Sequence, residues 1–290
     1  MMVPLTRNKK LKLAITYQEE VLFNSDTLSK IISYLPSVDL LNLAVTCKRL
    51  GSAFNDKQSI IETSIQIAIQ DLATDEQLAA LPHYEGESTL ADYHYLQLLR
   101  APLLFDQLVG AEYVNSGDKS CVRKPTGSYA FGWVTAFSNN ILRAGKHYAL
   151  FTPISNDKDI MVGVMRSGQS NSRVSGCPLF KQFYQNLSRR HGEPNNNVDC
   201  CMYNHYGNCL SSDWENDGFS NETWEGSEPL SSGDELGMLL DLDEGTLSVY
   251  KNGAQLGVMK RGLAGPYCWV ITLYEREQFS IKRGTIPPRS

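Results

Sequence analysis

The sequence predicts an α+β chain of two parts, a set of short helices followed by an antiparallel β-sandwich. Three observations carry this. From about residue 20 to 108 apolar residues recur at helical spacing. After about residue 110 the pattern changes to alternation within short runs rich in β-branched and aromatic residues. Clusters of Gly, Asn, Asp and Ser separate those runs, including the pair Asn252-Gly253. The expected division is a flexible arm at 1–19, short helices at 20–66, a helical linker at 67–108 and the sandwich at 109–290.

The helical part opens with SDTLSKIISYLP, where Leu28, Ile31, Ile32 and Leu35 fall at i, i+3, i+4 and i+7 and form one stripe. Ser25 or Asp26 suits the N-cap, and Pro36 ends the helix by restricting the residue before it. Ser37 opens a second helix, SVDLLNLAV, with Leu40, Leu41 and Ala44 on one side. A third, TCKRLGSAF, groups Cys47, Leu50 and Phe54, with Thr46 as its cap. Helices this short bury their own apolar surface poorly, so something must cover them. Either a second protein does so, or they pack on the helices between 59 and 100. Those helices are SIIETSIQIAIQDLA, in which Ile61, Ile65, Ala68 and Leu72 repeat, and STLADYHYLQLLR, which stops before Pro102. The polar stretch PHYEGES links them.

The strand part contains GKHYALFTPI, DIMVGVMR, ELGMLLDLD, TLSVYKNG and YCWVITLY. Leu236, Met238, Leu240 and Leu242 share one face, with Leu239 and Asp241 on the other. Asn252-Gly253 accepts the positive φ angles of a type I′ hairpin turn, and Asp243-Glu244-Gly245-Thr246 marks a tight turn just before it. Many short strands joined by tight turns imply a sandwich. Residues 166–197 are polar and read as a long exposed loop.

A formal net charge of -5 and a pI near 5.6 give no attraction to a phosphate backbone, so nucleic acid is not expected as a partner. No run approaches the roughly 20 apolar residues of a membrane span, and no membrane partner is expected. Arg7, Lys9, Lys10 and Lys12 precede only the short apolar stretch LAITY, too short for a signal-peptide core. The seven cysteines, an odd and irregular set, then read as reduced thiols of a cytoplasmic or nuclear protein. Cys200, Cys201, His205 and Cys209 lack the paired spacing of a zinc site, and adjacent cysteines on a strand point to opposite faces. Asp241, Asp243 and Glu244 do not meet the offsets of a calcium loop and read as turn-forming acids. With no nucleophile elbow, P-loop or H-E-x-x-H motif, no catalytic residue, metal or cofactor is expected.

The string Asp241-Leu-Asp243-Glu-Gly245-Thr-Leu247-Ser-Val249-Tyr250-Lys-Asn252-Gly253, with Gly257-Val258 behind it, resembles the signature of SPRY (B30.2-like) domains. Ala144-Gly-Lys-His147-Tyr, Val162-Gly-Val164, Trp224-Glu-Gly, Gly233-Asp-Glu-Leu-Gly237 and Gly265-Pro-Tyr-Cys-Trp269 agree in order. The resemblance implies a non-catalytic β-sandwich that recognises proteins through loops. The stretch from Val21 to about Gln66 resembles an F-box through Leu28, Ile31, Tyr34-Leu35-Pro36, Asp39-Leu40-Leu41, Leu43, Val45, Cys47 and Lys48-Arg49. It has Phe23-Asn24 where many members begin Leu-Pro, and Leu50 where many carry Trp. The order F-box then SPRY is similar to a subgroup of substrate receptors of cullin-based (SCF-type) ubiquitin ligases. That likeness implies docking to a Skp-family adaptor and its cullin complex, with a protein substrate held by the sandwich. A SPRY interaction scaffold not coupled to a cullin is the alternative. The adaptor-binding residues expected are Leu28, Ile31, Leu35, Pro36, Leu40, Leu41, Val45 and Cys47. For the target, exposed aromatic and arginine side chains near polar loops point to Arg173, Phe180, Tyr184, Arg189, Trp214 and Phe219.

Overall fold

The computed structural model describes residues 24–46, 59–79, 81, 88–115, 117–125, 133–154, 160–166, 200–213, 218–274 and 277–286. The expected arm at 1–19, the third short helix and the 167–197 loop lie outside them. The chain divides into two compact units, 1–101 and 102–290.

In the first unit the described helices are α1 (Ser25–Ile32), α2 (Ser37–Thr46), α3 (Ile60–Leu72), α4 (Asp75–Ala79) and α5 (Thr89–Arg100). Asn24, rather than Ser25 or Asp26, caps α1. Its side-chain oxygen accepts from the amides of Asp26 at 2.9 Å and Thr27 at 3.2 Å, satisfying two of the orphan donors at the helix start. Asn24→Ala is expected to lower the stability of this unit by about 1 kcal/mol, read as an earlier loss of helical circular dichroism on heating. α3 begins with a capping box: the Glu62 amide donates to Ser59 Oγ at 3.1 Å and the Ser59 amide to Glu62 Oε2 at 3.2 Å.

One apolar core holds this unit together. Leu28 and Ile32 of α1 and Leu40 of α2 meet Ile61, Ile65 and Ile69 of α3 and Tyr93, Leu96 and Leu99 of α5. The stretch expected as a linker therefore shares this core, because Ile69 of α3 and Tyr93, Leu96 and Leu99 of α5 supply apolar surface that α1 and α2 lack.

The second unit is two antiparallel sheets. Among the described residues each has seven strands, in the orders β1-β4-β13-β6-β7-β8-β9 and β12-β11-β10-β5-β14-β3-β2. The first contains β1 (Phe105–Val109), β4 (Val134–Ser138), β6 (Ile160–Arg166), β7 (Cys200–Asn204), β8 (Cys209–Asp213), β9 (Gly218–Glu222) and β13 (Tyr267–Leu273). The second contains β2 (Glu112–Asn115), β3 (Asp118–Arg123), β5 (Lys146–Pro153), β10 (Leu236–Asp241), β11 (Thr246–Lys251), β12 (Ala254–Arg261) and β14 (Gln278–Arg283). The sandwich starts at β1, before the boundary expected at 109, because Phe105 is fully buried and β1 pairs with β4.

Alternation fills the space between the sheets. Leu236, Met238 and Leu240 of β10 and Leu247 and Val249 of β11 face Val162, Val164, Trp269 and Ile271 across one core. Asn252 (φ 53°) and Gly253 (φ 82°) make the hairpin turn between β11 and β12. Asp241 Oδ1 accepts from the amides of Asp243 and Glu244, so these acids build the β10–β11 turn, and Asp241 Oδ2 pairs with Lys146 at 2.8 Å.

His147 at the start of β5 lies inside the sandwich, its Nε2 donating to the Ala144 carbonyl at 2.6 Å. Burial, which disfavours the charged ring, pushes its pKa down to about 4. A depressed histidine pKa contributes stability that is complete above the unfolded value near 6.5 and is lost as pH falls towards about 4, because the unfolded chain takes up the proton first. The loss amounts to roughly 3 kcal/mol over that window. Urea unfolding at a series of pH values checks this, and His147→Gln is expected to flatten the slope.

Candidate protein-interaction surfaces

The corner between α1 and α2 is the first candidate surface. Ser33, Tyr34, Leu35 and Pro36 turn the chain, and α5 grips that turn with polar side chains. The Tyr93 hydroxyl donates to the Ile32 carbonyl at 2.7 Å, and Gln97 Nε2 donates to the Leu35 carbonyl at 2.8 Å. Gln97 Oε1 accepts from the Ser37 amide at 2.9 Å, and His94 Nδ1 shares a 2.7 Å hydrogen bond with the Ser37 hydroxyl. These bonds satisfy carbonyls at the end of α1 and an amide at the start of α2, which a short helix pair cannot satisfy alone. Burial of its hydroxyl in this turn raises the Tyr93 pKa. Sequence reasoning missed Tyr93, His94 and Gln97. Their signal was a polar i, i+1, i+4 set on a helix whose Leu96 and Leu99 face the core.

Held in this way, α1 and α2 point a second apolar stripe outward. Ile31 is 40% exposed, Leu41 50%, Val38 61%, Val45 76% and Tyr34 84%. Val38, Leu41 and Val45 sit at i, i+3 and i+7 of α2, on one face of that helix. Asp26, Thr27, Lys30, Ile31 and Tyr34 line a shallow concavity on α1.

The structure separates the residues expected to meet an adaptor. Ile31, Pro36, Leu41 and Val45 lie at the surface, and Leu35 is half-buried against the core. Leu28 and Leu40 do not lie there: they are 8% and 1% exposed, sealed by α3 and α5. The reason is that each short helix carries two apolar stripes, and the long helices after residue 59 cover one of them. Cys47 lies outside the described residues.

Of the residues expected to bind a target, Arg173, Phe180, Tyr184, Arg189 and Trp214 lie outside the described residues. Phe219 falls on β9, and its side chain is outside what the structure describes. Trp224 packs against the sandwich core with its Nε1 donating to the Gly207 carbonyl at 2.8 Å. Nearby, Tyr206 is 66% exposed on the β7–β8 turn, its ring tilted against that of His205 with centroids 3.7 Å apart. On another loop, Trp133 packs against Tyr274, and the Lys124 ammonium lies 5.3 Å from the Tyr274 ring centroid. Trp133, Tyr206 and Tyr274 are aromatic groups at least partly open to solvent, the residue types that anchor interfaces.

Cys200 and Cys201 point to opposite faces of β7, Cys201 into the core between the sheets and Cys200 into a cluster on the outer side. Among the described residues no three His, Cys, Asp or Glu side chains are grouped to hold a metal ion. None of the described helices is long and apolar enough to cross a membrane.

Known structures similar to the chain include the SPRY domain of human HERC1, 16% identical with a TM-score of 0.43, covering 62% of this chain and 97% of that one. The TRIM65 PSpry domain is 17% identical with a TM-score of 0.41, covering 64% of this chain and 95% of that one. A human SPRY domain is 12% identical with a TM-score of 0.40, covering 61% and 97%. No curated protein sequence matches the chain. Residues 22–61, which hold the α1–α2 corner and its outward apolar stripe, match the F-box domain.

Proposed function

We propose that this protein is a substrate receptor of a cullin-based ubiquitin ligase, in which the α1–α2 surface docks to a Skp-type adaptor and the β-sandwich holds the target protein. The observation that carries the reading is the coincidence of an F-box match at 22–61 with an unburied apolar stripe on the same two helices. An F-box works by adaptor docking, and exposed Val38, Leu41 and Val45 are the groups such a partner would cover. The receptor does no chemistry of its own. It raises the effective concentration of the target's lysines near the ubiquitin-loaded enzyme.

The test is co-purification of the full chain with a Skp-type adaptor at micromolar concentration. A stable complex is expected, with Val38→Asp and Val45→Asp together weakening it by about a hundredfold or more while helical circular dichroism is unchanged. Absence of a complex with the unaltered chain refutes the ligase reading and leaves a protein-interaction scaffold.

A further inference from the structure

Cys201 on β7 and Cys209 on β8 stand one diagonal step apart, since Cys201 faces Ser211 and Tyr203 faces Cys209 in the register. Both side chains enter the core between the sheets, 0% and 4% exposed, with their sulfurs 3.7 Å apart. A diagonal neighbour in an antiparallel pair is within reach of a long side chain, and here the two thiols turn towards each other.

The surroundings are asymmetric. Lys260 reaches in from β12 of the other sheet and donates to the Ser211 hydroxyl at 2.8 Å, and that hydroxyl shares a 2.8 Å hydrogen bond with Ser220. The hydrogen bond from Cys201, helped by the Lys260 charge, lowers the Cys209 pKa against burial and against Glu222, its partner on β9. Burial holds the Cys201 thiol protonated and pushes its pKa up. The Lys260 charge favours a thiolate at this pair, and the hydrogen bond between the sulfurs lets one ionise while the other donates. The other described thiols differ. Cys121 accepts a hydrogen bond from Gln278, and Cys268 donates to the Met165 carbonyl, with burial pushing its pKa up to about 12.

We propose that Cys201 and Cys209 form a two-electron redox pair, which a hydroperoxide closes to an intramolecular disulfide across β7 and β8. The Cys209 thiolate attacks a peroxide oxygen, the O–O bond breaks, and the departing oxygen takes the Cys209 proton, leaving a sulfenic acid and, from hydrogen peroxide, one water. The Cys201 sulfur then attacks the Cys209 sulfur. The S–O bond breaks as the S–S bond forms, and the expelled hydroxide takes the Cys201 proton to give a second water. Two thiols are oxidised by two electrons and one peroxide is reduced. Closure brings the sulfurs from 3.7 Å to a bond of about 2.05 Å, a step on the scale of side-chain rotation.

The test treats the reduced full chain with hydrogen peroxide, alkylates the remaining thiols, digests with trypsin and weighs the peptides. Cys200, Cys201 and Cys209 share one tryptic peptide, His191–Lys251, which contains no internal Lys or Arg. That peptide is expected to lose two hydrogens and keep one alkylated thiol, at least about tenfold faster than Cys268 is modified. Cys200→Ser is expected to retain the loss, whereas Cys201→Ser and Cys209→Ser abolish it. Persistence of the loss in either of the last two variants, its absence from the unaltered chain, or its disappearance in Cys200→Ser overturns the proposal. Circular dichroism reports whether each variant folds. Where one does not, fragmentation of the bridged wild-type peptide decides: a Cys201–Cys209 link supports the pair, and any other link refutes it.

Discussion

Trp269→Ala is expected to lower the stability of the β-sandwich by about 3–5 kcal/mol, a large part of the roughly 5–15 kcal/mol that holds a domain folded. Trp269 is 1% exposed on β13, an interior strand between β4 and β6, and its ring meets Phe151 of the opposite sheet edge-on at 5.8 Å. Truncation removes the largest apolar side chain of the core and leaves a cavity that strands cannot close without breaking their ladders. Part of the loss is the aromatic contact itself, worth about 1 kcal/mol beyond area. Trp269→Phe keeps an aromatic ring at the site and is expected to cost less than half as much. All four tryptophans lie beyond residue 102, so fluorescence follows the sandwich without a signal from the helices. Urea unfolding of both variants by fluorescence checks the order. A change below about 1.5 kcal/mol for the alanine variant would mean the core repacks around the gap.

Particular residues explain what was legible in advance. The β10–β11–β12 run was readable almost residue by residue, since period-two alternation leaves Leu236, Met238 and Leu240 only one face to share, and Asn252-Gly253 supplies the backbone angles its hairpin needs. Helix existence was equally plain for α1, α2, α3 and α5. What could not be read was which of two apolar stripes on α2 turns inward. Leu40 and Leu41 are neighbours of identical chemistry, and the helix would present either one to a core. The choice is made by α3 and α5, which lie later in the chain and clamp the corner through Tyr93, His94 and Gln97. Tertiary partners of this kind leave no mark on local periodicity. Asn24 shows the opposite case. Where the F-box pattern has a proline, a local hydrogen-bonding side chain starts the helix by capping instead.

Leu40→Asp and Leu41→Asp, adjacent and chemically identical changes, are expected to fail in different ways. Leu40 is 1% exposed among Ile32, Ile61 and Leu96. A carboxylate there has no partner in an apolar core, a burial that costs several kcal/mol and suffices to unfold a small helical unit. Its loss of adaptor binding then accompanies loss of helical circular dichroism and an early thermal transition. Leu41 is 50% exposed, so Asp at that position meets water and is expected to cost less than about 1 kcal/mol. Against an adaptor the same charge lies within the buried stripe and must be desolvated, which is expected to weaken binding by at least about tenfold. The informative outcome is therefore a folded Leu41→Asp chain that no longer pulls down the adaptor, beside an unfolded Leu40→Asp chain that cannot. If folded Leu41→Asp binds as tightly as the unaltered chain, the outward stripe of α2 is not the docking face. Under the proposed docking, the inward stripe of this ten-residue helix holds the unit together and the outward one is left for the adaptor.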